Sequence, residues 1–173
     1  MVLKPQDVLV VLKLLVLGQK AWSYASLAAQ LGMSSSQLHS AVKRALAAQL
    51  AVRQGDGIVP NVRNLEEFLV HGIKYVFVPE QGRMTRGIPT GYAAPPLNRH
   101  FAATDEPPPV WPDAQGEVRG AAFSPLYTLV PRAAQSDPKL YEFLVLVDAI
   151  RGGRAREREI AIRELKKRLE AYA

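Results

Sequence analysis

The chain has 173 residues, 48% of them apolar, enough for one compact domain or two small ones sharing a core. Its 22 Lys and Arg against 16 Asp and Glu give a formal charge of +6, which favours a polyanionic partner. Cysteine is absent, which excludes disulfides, thiolate zinc sites, iron–sulfur clusters and cysteine nucleophiles together. His39, His71 and His100 are the only imidazoles.

The longest apolar run, Val8 to Leu17, covers ten residues with Lys13 inside it, whereas a membrane-spanning helix needs about 20. Asp7 and Lys13 also stand where a signal peptide would be uncharged or apolar. The expectation is a cytoplasmic protein with no membrane partner. Proline divides the sequence further: 11 of 13 prolines fall between Pro79 and Pro138. Three segments result, 1–78, 79–136 and 137–173, with net charges of +4, 0 and +2. The expected fold class is mainly α with a small β hairpin, an irregular Pro-rich middle and a C-terminal helical hairpin. No internal repeat is visible.

The first helix is predicted to start at Pro5, with Asp7 near its positive end, and to stop at Gly18. It is apolar on every face, so it must be covered on more than one side, by the rest of the chain or by a second copy. Ser23 caps a short helix running to Leu31, after which Gly32 supplies a turn. Ser34 and Gln37 form a capping box for the next helix, in which Leu38, Ala41, Val42, Ala45 and Leu46 repeat at helical spacing. A joint of about three residues forces a steep crossing, and Ala28 is small enough to permit it. Leu50 to Arg53, the turn Gln54-Gly55-Asp56-Gly57 and Ile58 to Pro60 read as a hairpin, Asp-Gly being a favoured turn.

Leu27, Ala28, Leu31, Gly32, Met33, Leu38, Ala41 and Val42 occupy the apolar, small and glycine positions of a helix-turn-helix. With the preceding helix and the hairpin, residues 5–61 resemble the winged helix-turn-helix of bacterial transcription regulators, the MarR-like group among them. The Pro-rich middle has no counterpart in MarR proper, so no effector pocket of that kind is expected. The resemblance implies a recognition helix of about Ser35–Ala48 in the major groove and a wing, Arg53–Ile58, at the minor groove. Ser34, Ser35, Ser36, His39, Ser40, Lys43 and Arg44 are then the outward residues. The serines and His39 are suited to bases or phosphates, and Lys43 and Arg44 to phosphate. Arg53 and Gln54 stand at the wing, and Arg63 just after it. No acidic residue occurs from Ser34 to Gly55, which favours DNA over a merely solvated face.

Asn61 is predicted to cap a helix from Val62 to about Tyr75, with Leu65, Phe68, Leu69, Ile73 and Val76 buried and His71 a core or boundary residue. Gly82 to Gly91, with Arg83 and Arg86, has the glycines and bases of an anion cradle but matches no nucleotide-binding spacing. An ordered loop is expected there, and extended coil or short edge strands over 93–136. Asp137 and Pro138 begin a helix whose stripe is Leu140, Phe143, Leu144, Val147 and Ile150, widened by Leu146. After Gly152-Gly153, residues Arg154 to Tyr172 interleave Arg with Glu around Ile162, Leu165 and Leu169. Arg151, Arg154, Arg156 and Arg158 there are expected in an exposed, self-paired face. These two helices are the expected dimer or partner surface.

No catalytic constellation, metal site or cofactor motif emerges from the spacing. The expected function is a sequence-specific double-stranded DNA-binding transcriptional regulator, a repressor acting as a homodimer, because one such domain binds DNA only weakly. The alternative is a protein-interaction module. In architecture the chain loosely resembles AbiEi-type antitoxins, which would make it the partner of a toxin with autoregulatory DNA binding.

Overall fold

Val8 to Leu15 form an unbroken buried run in helix α1 (Pro5–Leu17) of the computed structural model, which describes residues 1–172. Pro5 fixes its first turn, the Asp7 carboxylate accepts the Lys4 N–H, and Gly18 closes it at φ 59°. Cover comes from the chain itself, through α3 (Ser35–Ala47), β2 (Gly57–Pro60) and α7 (Pro138–Gly152). Each Leu or Val so enclosed contributes about 1.5–3 kcal/mol. Lys13, the one charge inside the run, donates to Asp137 at 2.6 Å and so ties α1 to the start of α7.

α2 (Tyr24–Leu31) ends at Gly32, which is left-handed at φ 72°. The Met33 N–H returns to Ala28 O and the Gly32 N–H to Ala29 O, satisfying carbonyls the helix end would otherwise orphan. α3 follows after a joint of three residues, Gly32 to Ser34. It closes in the same way, Leu50 N–H to Ala45 O and Gln49 N–H to Leu46 O, with Gln49 at φ 59°. β1 (Ala51–Gln54) and β2 pair from Ala51↔Pro60 to Gln54↔Gly57. The two central turn residues are Gly55 and Asp56, with Gly55 supplying the positive φ, so the turn is built on Gly-Asp and not on Asp-Gly.

Asn61 caps the next segment, its side chain accepting the Asn64 N–H. Instead of one regular helix there are α4 (Val62–Glu67), a π turn (Phe68–Gly72) and α5 (Ile73–Val76). The wider turn advances the buried face by a residue. Leu65, Leu69, Val70 and Ile73 are buried, Phe68 half-buried, while Val76 is 54% exposed and His71 also faces out. The expectations for Val76 and His71 are thereby corrected.

The Pro-rich middle holds more regular structure than its composition suggests. Gln81–Pro89, expected as a loop, is strand β3; β4 (Pro109–Pro112) and β5 (Val118–Phe123) pair with it and with each other. Three strands can close on one another only if backbones touch. A Cβ on Gly87 would lie 1.9 Å from Trp111 O, and one on Gly120 would lie 2.0 Å from Pro108 O. Of the glycines that suggested an anion cradle, Gly87 serves this closure, while Gly82 has open space around it. A further helix, α6 (Val130–Gln135), starts with Pro131 in its first turn.

Asp137 caps α7 as expected, its carboxylate accepting the Leu140 N–H. Residues on both sides of the expected stripe, Val145 and Ala149 included, are buried, so α7 is a central helix and offers no partner surface. Its two buried charges pair with each other. Asp148 accepts hydrogen bonds from the Thr90 hydroxyl (2.6 Å), the Trp111 indole (2.7 Å) and the Arg151 guanidinium (2.9 Å). Burial raises the Asp148 pKa, opposed by the Arg151 charge and the three donors. Arg151 also donates to Phe77 O and Ser124 O, so one ion pair fastens α5 and the three-stranded unit to α7.

α8 (Ala155–Glu170) packs back on α7 through Ile160, Ala161, Leu165 and Leu169. The exposed self-paired face expected of the arginines here is corrected: Arg151 is buried, Arg154 pairs with Glu106, Arg158 donates to Ile150 O and Gly153 O, Arg168 pairs with Glu142 and Glu164, and Arg156 is exposed. The molecule is thus mainly helical, with a two-stranded antiparallel sheet and a three-stranded one, around a core drawn from all three sequence segments. No helix among the described residues is long and apolar enough to cross a membrane. Gly120→Ala should destabilise the protein by about 2 kcal/mol or more, seen as a fall in melting temperature of roughly 5 °C; Gly82→Ala, with open space around it, should leave it unchanged.

Candidate nucleic-acid interface

α3 is fixed at its start by reciprocal bonds, Gln37 N–H to Ser34 Oγ at 3.1 Å and Ser34 N–H to Gln37 Oε1 at 2.9 Å. Leu38, Ala41, Val42 and Ala45 turn its apolar stripe onto α1 and α2. Ser34, Ser35, Ser36, His39, Ser40 and Lys43 are consequently exposed. These six expected site residues share one face.

Arg44 does not join them. Its guanidinium forms a two-pronged bond with the fully buried Asp7 carboxylate, Nε to Oδ2 at 2.8 Å and Nη2 to Oδ1 at 2.9 Å, and its side chain is only 16% exposed. The hydrogen bond to Asp7 raises the Arg44 pKa, burial opposing it. The expectation that Arg44 meets phosphate is corrected: an Asp on α1 holds the charge against the core, where it sets the rotation of α3 about its axis.

His39 is exposed but not free to turn. Its ring stacks on Tyr24, centroids 3.7 Å apart and planes 8° from parallel, and Trp22 meets Tyr24 edge-on at 5.3 Å. Tyr24, His39, Ser40, Lys43 and Arg53 line a cleft of about 340 Å³ between α3 and the hairpin. Arg53 is therefore opposite α3, while Gln54 lies at the hairpin end and, with Arg63 of α4, lines a neighbouring concavity.

The charge of this face is one-signed. No Asp or Glu occurs between Asp7 and Asp56. Of the bases there, Lys13 and Arg44 are consumed by Asp137 and Asp7. Lys20, Lys43 and Arg53, and Arg63 beyond the hairpin, are exposed and have no acidic partner among the described residues. Such a face attracts polyanions and repels cations.

Tyr24, and Trp22 behind it, escape sequence reasoning because Tyr24 acts through a contact with His39, fifteen residues away, and no periodicity announces it. The Asp7–Arg44 pair, 37 residues apart, is equally silent in the sequence. Compared with known proteins, the chain matches no family model, no curated protein and no solved structure.

The different fates of adjacent bases can be measured. Arg44→Ala leaves the Asp7 carboxylate buried without its cation and should cost about 3 kcal/mol in urea denaturation. Lys43→Ala, on the surface, should stay within about 0.5 kcal/mol of the unsubstituted protein.

Proposed function

We propose that the protein is a sequence-specific double-stranded DNA-binding transcriptional regulator of winged helix-turn-helix type, with α3 as recognition helix and the β1–β2 hairpin as wing. The observation that carries this reading is the outward face of α3. It is rigidly oriented, rich in short donors, flanked by unpaired Lys43, Arg53 and Arg63, and free of carboxylates over the whole stretch from Val8 to Gly55. Ser35, Ser36 and Ser40 are short enough to approach bases or phosphates, and the stacked His39 presents an imidazole edge in a fixed direction. Lys43, Arg53 and Arg63 supply the phosphate contacts that Arg44 cannot.

A single domain of this size binds nonspecific DNA with a Kd of roughly 10⁻⁴ to 10⁻⁶ M, so regulation calls for two copies on half-sites about one helical turn apart. With α7 buried, the exposed side of α8 remains of the surface expected to meet a second copy. Tyr75, Val76 and Val78, the last two 54% and 70% exposed, form an apolar run suited to a second copy.

The central test is a salt titration of duplex binding. Lys43→Ala should reduce the slope of log affinity against log salt by about 0.9, one phosphate contact. An unchanged slope in a folded variant overturns the placement of α3. Selection of bound fragments from random duplexes should return two-fold symmetric winners. Substituting Ser35 or His39 should change the selected sequence more than the affinity for unselected DNA, and winners identical to those of the unsubstituted protein would remove both residues from base reading.

A further inference from the structure

α6 is the least expected element, and its one outward base is placed in a telling way. Val130, Pro131, Ala133 and Ala134 are buried and hold α6 against α2 and α7, while Arg132 is exposed. The Arg132 guanidinium lies directly over Gly32, the left-handed turn between α2 and α3. A Cβ at Gly32 would stand 2.8 Å from Nη1 and 3.1 Å from the central guanidinium carbon. A side chain at Gly32 would shift this flexible guanidinium end, while the left-handed turn itself asks for glycine.

The charge environment gives the seat its meaning. Arg132 has no acidic partner among the described residues. Its own segment holds no Asp or Glu from Val118 to Ser136, and the segment under it holds none from Val8 to Gly55. Asp137, the nearest acid along the chain, is taken by Lys13. Two acid-free stretches from opposite ends of the sequence thus meet at this corner, beside the exposed Ser34, Ser35 and Ser36. A desolvated contact or an ion pair would explain an arginine held there for structure alone. Arg132 is exposed and has no ion pair among the described residues, so its guanidinium keeps its outer donors free for a ligand.

We infer that Arg132 is a DNA-phosphate contact delivered by the C-terminal half of the chain, on the strand bordering the groove at the start of α3. The inference rests on the DNA-binding reading and extends it: the footprint is composite, with α6 clamping the backbone at one end of α3 while Lys43 and Arg53 hold it at the other. Guanidinium geometry suits a phosphate, two parallel N–H donors meeting two oxygens.

The test uses the full chain and a labelled random-sequence duplex of about 30 base pairs, followed by fluorescence anisotropy between about 50 and 200 mM salt. Arg132→Ala should lower the salt slope by about 0.9 and weaken binding roughly eightfold at 0.1 M salt. Arg132→Lys should keep the slope, since it keeps the charge. Lys166→Ala, which removes an exposed charge from α8, should change neither. If Arg132→Ala matches Lys166→Ala while Lys43→Ala still loses slope, Arg132 is not a contact and the DNA-binding reading stands. If Arg132→Ala weakens binding with its slope intact, its role is to prop the turn, and the inference is overturned. If the unsubstituted protein shows no salt-dependent binding, both readings fall together.

Discussion

Two helices without a polar face govern this structure. α1 and α7 are buried along most of their length, so α3, β2, α5, α6 and α8 are recruited to cover them. That demand fixes where the chemistry sits. α3 lies across α1 with its apolar stripe inward, and the Asp7–Arg44 pair decides how far it may roll. The hydrophilic side of α3 is outward because its other side has no alternative. Against α7, the Asp148–Arg151 pair does the same for the three-stranded unit, with four hydrogen-bonded partners replacing the water that burial removed.

The local signals were the legible ones. Caps at Ser23, Ser34, Asn61 and Asp137, the stops at Gly18 and Gly32, and the hairpin could all be read from the sequence, because each is decided by residues within a few positions of one another. What escaped was decided at a distance. Gly87 of β3 looked like a loop residue, since its reason for being small lies on Trp111, 24 positions later. The π turn at Phe68–Gly72 rotated a correctly found helix and put Val76 and His71 outside. In the candidate interface, six of seven residues expected on α3 are exposed. The seventh, Arg44, was lost to a carboxylate 37 positions earlier.

Arg44 also shows why a base on a helix cannot be sorted into surface or interior by type. Lys43 and Arg44 are neighbours with the same charge, yet about 100° of helical rotation sends one to solvent and the other to an acid beneath. Arginine suits the inward position because its planar fork satisfies both oxygens of Asp7, which an ammonium at the same place would not. The pair makes the orientation of the polar face a property of the core.

The Lys13–Asp137 bond joins residues 124 positions apart, and its consequence lies in time more than in space. A chain emerging from the ribosome exposes one flank of α1 long before α7 exists to enclose it, and non-local closures of this kind are slow. The flank of α1 that α7 covers therefore stays open until residues 138–152 have been made, although α3 and β2 can close over its other sides much earlier. A chain halted before α7 keeps one apolar flank of α1 in water and is a hazard for aggregation.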